Sequence, residues 1–176
     1  MPVTLLLTVL LAALPEPAVH ARRVPELLAL LAPTGRAWPV GGPGAVLRRF
    51  EAPPARWAAG HRGVDLAAEP GTEVRSAAPG VVVFSGTVAG RPVVTVSHPG
   101  SGTPPLRTTY LPVAGTAPVG AAVVAGQPVG RLAPASSHCP SSCLHWGLLR
   151  GERYLDPLAL LGTGSARLLP LAGGEH

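Results

Sequence analysis

Residues 79–100 read PGVVVFSGTVAGRPVVTVSHPG. This stretch contains two apolar runs, Gly80–Val88 and Pro92–His98, and the second run alternates apolar and polar residues. Runs that are rich in β-branched residues and bounded by Pro-Gly pairs indicate strands rather than helices. The stretch therefore predicts two strands joined by a tight turn, and with them a β-rich fold.

The same pattern continues towards the C-terminus. Further strands are predicted at Leu106–Val113 and at two places around Gly126 within Val119–Leu132. Two more are predicted at Cys143–Leu149 and Arg153–Leu155, and Arg150-Gly151 between them indicates a hairpin. Asp156-Pro157 combines a cap with a first-turn proline, so it predicts one short helix that ends at Gly162. Upstream, one edge strand is expected near Trp38–Val40.

The N-terminus is typical of a secretion signal. Val3–Leu14 is apolar apart from two threonines, and Val19-His20-Ala21 offers small residues where a signal peptidase cleaves. Twelve apolar residues are too few to span a bilayer, which needs about twenty. We therefore predict a signal peptide at 1–21 and a secreted or cell-wall-associated protein. An uncleaved anchor, which would hold the protein at the membrane, is the alternative.

The remaining chain divides by composition. Residues 22–56 are rich in Pro and Gly and are interpreted as a linker or N-terminal extension. The strand pattern occupies residues 57–162, and 163–176 is interpreted as a flexible tail. A chain of 176 residues favours one domain.

The positive charge of the chain limits its partners. The formal net charge is +5, and all fourteen cationic side chains are Arg. The arginines are scattered and form no basic stripe interleaved with aromatic residues, so nucleic acid is not an expected partner. A basic exported protein suits anionic cell-wall polymers.

The absence of lysine excludes one other β-rich class. The segments Ala77–Val81 and Ala125–Gly130 are similar in residue pattern to biotinyl or lipoyl carrier domains. Those carriers attach their cofactor to a lysine in a hairpin, and this chain has none. A carrier function is therefore excluded.

Three residues form a candidate metal-ligand set. His61, Asp65 and His145 are of the types that bind zinc, at about 2.0–2.2 Å from the ion. In a straight strand His61 and Asp65 would lie about 13 Å apart, so a turn must bring them together, and Gly63 permits one. Two histidines and one carboxylate, with a fourth position left for water, are the composition of a catalytic zinc centre.

The surroundings of these residues resemble the lysostaphin-type (LytM-like) peptidoglycan zinc metalloendopeptidases. The resemblance runs from about Trp57 to Leu160 and lies in HRGVDLAA at 61–68, PGTEV at 70–74, AAPGVV at 77–82, Val119-Gly120, Gly126-Gln127 and Leu144-His145-Trp146. It implies an all-β fold with antiparallel sheets of the duplicated hybrid motif type and a groove. It also implies zinc held by His61, Asp65 and His145, and a peptide bond of peptidoglycan as the substrate.

The sequence departs from this family at two catalytic histidines. The family's His-x-His is Cys143-Leu144-His145 here, and its Tyr-x-His is Tyr110-Leu111-Pro112. Positioned acid–base groups contribute about 10²–10⁴-fold each, so their loss matters. Tyr110 and His138 are the candidates for the missing catalytic role. His98, at the end of a predicted strand, is a further histidine that could substitute.

Cys139 and Cys143 leave two architectures open. In an exported protein a close cysteine pair favours a disulfide, which would keep the zinc site open. A Cys143 thiolate would instead be a fourth ligand and close the site.

Three hypotheses of function follow. The first is an exported zinc metalloendopeptidase that acts on peptidoglycan peptides with an altered proton-transfer apparatus. The alternative is a non-catalytic peptidoglycan-binding or regulatory module that keeps a structural zinc. A structural zinc cage of Cys, His, His and Asp with an unrelated partner is a third possibility.

Overall fold

The computed structural model describes residues 35–55, 57–134, 139 and 142–162. The expected signal peptide at 1–21, the expected tail at 163–176 and His138 lie outside the described residues. The described residues form eleven strands and two short 3-10 helices, Pro43–Ala45 and Pro157–Leu161. The strands are β1 Val46–Arg48, β2 Val64–Ala67, β3 Glu73–Arg75, β4 Gly80–Val88, β5 Arg91–His98, β6 Leu106–Leu111, β7 Val113–Gly115, β8 Ala122–Val123, β9 Pro128–Leu132, β10 Cys143–Arg150 and β11 Arg153–Leu155.

The strands form two antiparallel sheets. The larger sheet has the order β1-β2-β10-β6-β5-β4-β8, and β11 pairs with β10 beside it. The smaller sheet has the order β3-β9-β7. The predicted all-β class with antiparallel sheets is confirmed.

The hairpin of β4 and β5 corresponds to the stretch that predicted the fold. Val88 pairs with Arg91, so only Ala89 and Gly90 connect the strands. Both residues have positive φ, 49° and 77°, which matches the right-handed twist of an antiparallel pair. The two strands therefore form where the sequence places them.

One cluster of buried side chains joins both sheets. Trp146 and Tyr110 are its largest fully buried members. The smaller sheet contributes Val74, Val129 and Leu132. Burying an aliphatic or aromatic side chain of this kind stabilises the folded state by about 1.5–3 kcal/mol.

The edge strand expected near Trp38–Val40 is wrong. That segment packs against the core instead: Val40 is buried, and the Trp38 ring lies 6.4 Å from that of Trp146. Pro39 lacks a backbone N–H and Gly41 has a φ of 53°, so the segment cannot form a regular ladder. The strand at this edge of the larger sheet is β1, which pairs with β2.

The strand predicted at Leu106–Val113 is two strands. Pro112 has no N–H to give to a ladder, and β6 ends before it. Val113 then starts β7, which belongs to the smaller sheet. The chain thus changes sheets at Pro112.

The short helix after Asp156 is present as the 3-10 helix Pro157–Leu161. The Asp156 carboxylate accepts a hydrogen bond from the Leu158 N–H at 3.0 Å, and Gly162 ends the helix with a φ of 73°. Across the described ranges, no helix has the length and apolar character that a bilayer crossing requires.

Candidate metal centre

Two adjacent strands bring Asp65 and His145 together. In the register of β2 and β10, these residues are direct partners. The Nδ1 atom of His145 lies 2.8 Å from the Oδ1 atom of Asp65. Partners in an antiparallel pair project from the same face, so the strand register sets this contact.

His61 completes a triangle of ligand atoms. Its Nε2 atom lies 3.1 Å from Oδ1 of Asp65 and 3.2 Å from Nδ1 of His145. Two backbone hydrogen bonds with Glu51, each 2.9 Å, hold His61 beside the edge of the large sheet. The sequence prediction that a turn brings His61 towards Asp65 agrees with these distances.

A backbone carbonyl sets the orientation of the His61 ring. The Nδ1–H of His61 donates to the carbonyl oxygen of Arg49 at 2.7 Å. A neutral ring then presents its Nε2 lone pair towards Asp65. This is the arrangement by which a second hydrogen bond fixes the tautomer of a metal-binding histidine.

The triangle fits a small cation. The Nε2 atom of His61 and the Asp65 carboxylate oxygen lie 3.1 Å apart, and both atoms can serve as ligands of one cation placed between them. Ligand atoms about 2.0–2.1 Å from a tetrahedral zinc ion lie roughly 3.3–3.4 Å apart, close to the observed spacing. His61 and Asp65 are buried, whereas the His145 side chain is 16% exposed. The donor set therefore fits zinc.

Gly63 gives the His145 ring its space. A Cβ atom at this position would lie 2.6 Å from Nε2 of His145 and 2.5 Å from the Trp146 carbonyl oxygen. Gly63 does not adopt positive φ. A glycine is needed here because the His145 ring and the Trp146 carbonyl oxygen come close to its Cα, and not because of a special turn conformation. The sequence also singles out Gly63, but as a residue that permits a turn between His61 and Asp65.

The predicted disulfide between Cys139 and Cys143 is present. Cys143 lies on β10 two residues before His145 and is buried. Its sulfur is bonded to another sulfur, so in this state Cys143 is not a thiolate ligand. The disulfide leaves His61, Asp65 and His145 as the candidate ligands, which corresponds to the open architecture.

The structure contradicts the prediction of Tyr110 as a catalytic residue. Tyr110 pairs with Trp146, not with His145, and therefore faces the core. Its hydroxyl accepts hydrogen bonds from the Ala77 N–H at 2.9 Å and from Thr108 at 2.8 Å. Complete burial raises the pKa of the Tyr110 hydroxyl through desolvation, which makes it a poor proton donor.

His98 is also a core residue. Its Nδ1–H donates to the Pro79 carbonyl at 2.8 Å, and its Nε2 lies 2.9 Å from the Thr108 hydroxyl. Desolvation by burial lowers the pKa of His98. It pairs with Leu106 at the far end of β6 from Leu111, the partner of His145, so it does not substitute for a catalytic histidine.

A groove of about 1080 Å³ lies beside the hairpin of β10 and β11. Its lining includes Trp57, Arg62, Arg107, Leu149 and Tyr154. Leu149 lies four residues after His145 on the same face of β10, and Arg62 directly follows His61. Through Leu149 the groove lies on the same face of β10 as His145, but its lining does not include His61, Asp65 or His145.

The sequence did not reveal the Arg49 carbonyl that orients His61. Every residue has a carbonyl group, so no residue type marks such an acceptor. The described residues also contain no acid–base side chain at the two positions where the family has histidine, since these hold Pro112 and the disulfide-bonded Cys143.

Comparison with known proteins agrees with this geometry. The family model described as peptidase family M23 matches residues 59–157. Uncharacterized proteins of Mycobacterium tuberculosis and Mycobacterium bovis are 46% identical over 140 residues, which cover 77% of this chain and 55% of theirs. The chain thus spans about half the length of these curated relatives.

Solved structures share the fold. Helicobacter pylori Csd3 is 27% identical, with a TM-score of 0.55 over 78% of this chain and 35% of that chain. The catalytic domain of the antimicrobial peptidase lysostaphin from Staphylococcus simulans is 20% identical, with a TM-score of 0.54 over 65% of this chain and 90% of that domain. Because the family model matches more than half of its residues, including His61, Asp65 and His145, the chain belongs to peptidase family M23.

Proposed function

We propose that this chain is an exported zinc metalloendopeptidase that cleaves peptide bonds in peptidoglycan. The observation that carries the proposal is the convergence of His61 Nε2, Asp65 Oδ1 and His145 Nδ1 within 3.2 Å of one another. Membership of a peptidase family supports the reaction class. The net charge of +5 supports an anionic cell wall as the surroundings.

His61, Asp65 and His145 would hold the zinc ion. Zinc in such a site supplies Lewis acidity, which polarises a peptide carbonyl and acidifies water. The Asp65 carboxylate offsets positive charge at a position that is 1% exposed, where charges interact more strongly than in water. Hydrogen bonding of His61 to Arg49 keeps one ligand in place before substrate arrives.

The groove beside the hairpin of β10 and β11 would receive the substrate. Leu149 lies four residues after His145 on β10, which corresponds to about 13 Å of extended chain. A peptide lying along this face has room for about four extended residues beyond the metal centre. Exposed Trp57 and half-buried Leu149 offer apolar contacts there, and Arg107 offers a positive charge.

Proton transfer is the part of the reaction that has changed in this chain. Pro112 has no proton to give, and the Cys143 sulfur is bonded to Cys139. Tyr110 lies in the core. His138 therefore stays the proposed candidate for the proton-transfer role, although it lies outside the described residues.

A direct test is hydrolysis of purified peptidoglycan by the zinc-loaded protein. We expect release of soluble peptide fragments, and loss of this release in Asp65→Asn and His145→Ala. Glu69→Gln is a matched control for Asp65→Asn, because it also removes one carboxylate charge and Glu69 is an exposed residue outside both the metal-ligand set and the groove. Fragment release that survives in Asp65→Asn would contradict the proposed centre.

The replacement of both non-ligand histidines favours a second candidate function. A chain that has Pro112 and Cys143 at these positions could bind peptidoglycan peptides at a zinc centre without cleaving them. The same preparation separates the two candidates. Zinc-dependent binding to insoluble peptidoglycan without fragment release would support the binding or regulatory module.

A further inference from the structure

A second group of metal-ligand types overlaps the first. The sulfur atoms of Cys139 and Cys143 and a carboxylate oxygen of Asp65 all lie within 4.8 Å of one another. Asp65 belongs to both groups. In the disulfide state the two sulfur atoms are bonded to each other, so only the histidine-containing group can bind a cation.

We propose that reduction of the Cys139–Cys143 disulfide creates a second metal site, formed by both thiolates and Asp65, for a borderline-soft divalent cation such as zinc. Three residues separate the cysteines, which is within the two to four residues typical of paired zinc-binding cysteines. Thiolate sulfur selects zinc over hard cations such as magnesium or calcium.

The fold already positions the parts of this site. Cys143 is fixed on β10 opposite Ala67, two residues from the pair of His145 with Asp65. It is 2% exposed and Asp65 is 1% exposed, so both residues lie within the packing of β2 and β10. The two sulfur atoms must separate before they can share a cation.

The two sites compete for Asp65. Once its carboxylate turns to the thiolate-bound cation, the first centre retains only His61 and His145. Two histidines bind zinc less tightly than two histidines and a carboxylate, so reduction weakens the first centre. This consequence for hydrolysis rests on the proposed function, whereas the second site itself does not.

Reduction follows a balanced two-electron step. A phosphine reductant breaks the S–S bond, is oxidised by two electrons and takes the oxygen atom of one water molecule. The two protons of that water go to the sulfur atoms of Cys139 and Cys143. Binding of the cation then displaces these protons, because thiolates are the metal ligands.

Cobalt(II) is the probe, because cobalt–thiolate bonds absorb through charge transfer in the near ultraviolet. The full chain is titrated with cobalt under anaerobic conditions, with and without a phosphine, while circular dichroism follows the β-sheet signal. We expect a charge-transfer band only in the reduced protein, with the sheet signal retained. Absence of this band in the reduced protein would overturn the proposal, whether or not the sheet signal persists.

Variants identify the ligands. Cys143→Ser should remove the band. Asp65→Asn should weaken cobalt binding to the reduced protein at least about tenfold, since even outer-shell partners are worth about 10–100-fold. The double variant His61→Ala/His145→Ala should keep the band, because it lacks only the first centre.

Two results would contradict these assignments. An unchanged cobalt affinity in reduced Asp65→Asn would exclude the carboxylate as a ligand and overturn the site. Loss of the band in His61→Ala/His145→Ala would mean that the thiolates bind only as part of the first centre. Neither result depends on peptidoglycan hydrolysis, so failure of this site is distinguishable from failure of the proposed enzyme.

Discussion

The Nδ1 atom of His145 lies 2.8 Å from the Oδ1 atom of Asp65, although 80 residues separate them in the chain. Both residues lie in strands, and the register of β2 with β10 pairs them directly. A slip of one residue would turn His145 to the other face of the sheet. The centre therefore depends on strand register, which positions side chains more rigidly than a loop does.

Zinc should stabilise the folded protein. A ligand that binds only the native state adds about 2.7 kcal/mol at a concentration 100 times its Kd, which corresponds to a rise in Tm of roughly 10 °C for a domain of this size. We expect this rise in thermal melts with zinc, and its reversal by a chelator. His145→Ala should melt at the same temperature with and without zinc. An equal rise in that variant would place the stabilising zinc elsewhere.

Gly63→Ala should damage the metal centre. The new methyl group would meet the His145 ring and the Trp146 carbonyl oxygen, and the second of these is backbone that cannot move away cheaply. We expect a loss of about 1–3 kcal/mol in the free energy of unfolding, together with weaker zinc binding by calorimetry. Gly44→Ala is the matched control, because a Cβ atom at Gly44 has no neighbour within 4 Å. Equal zinc affinities in the two variants would contradict the role assigned to Gly63.

Most strands could be predicted because their signals are local. β4 and β5 each combine β-branched residues with flanking Gly or Pro, and these signals do not depend on the rest of the chain. The change of sheet at Pro112 and the packing of Trp38 on Trp146 are different. They depend on which segments meet in three dimensions, and residue periodicity carries no information about partners.

The metal-ligand residues of the candidate site could be predicted, because their side-chain types identify them in the sequence. His61, Asp65 and His145 stand out by residue type, and the family resemblance singles them out as a set. The direction of the Tyr110 side chain was not predictable in this way. Alternation shows that Tyr110 and Leu111 face opposite sides of β6, but only the register with β10 shows which one accompanies His145.

Tyr110→Phe should lower stability without changing the metal centre. The substitution removes the acceptor of the Ala77 N–H and leaves that buried donor unpaired, at a cost of about 1–3 kcal/mol in the free energy of unfolding. Zinc affinity and any peptidoglycan hydrolysis per folded molecule should stay at the level of the unchanged protein. Tyr154→Phe, at a residue that is 36% exposed, should change stability by less than about 0.5 kcal/mol. A stable Tyr110→Phe variant with reduced hydrolysis would restore Tyr110 as a catalytic candidate.

His98 should make the fold less stable in acid. Its pKa in the folded protein is below the ordinary value of 6.5, because burial disfavours the charged ring. As the pH falls below 6.5, the unfolded chain takes up a proton at His98 that the folded chain does not, so the free energy of unfolding decreases. A difference of one whole proton corresponds to about 1.4 kcal/mol per pH unit, and the decrease from His98 stops once the pH is below its folded pKa.

Urea unfolding of the zinc-free protein at several pH values between about 5 and 8 measures this slope, since these values bracket the ordinary histidine pKa. His98→Gln removes the titrating ring and should reduce the slope, even though the variant is less stable at every pH because the contacts with Pro79 and Thr108 change. The comparison of slopes separates His98 from His61 and His145, which both proteins share. Equal slopes would mean that His98 binds its proton equally well in the folded and unfolded chains, against the desolvation expected from its burial.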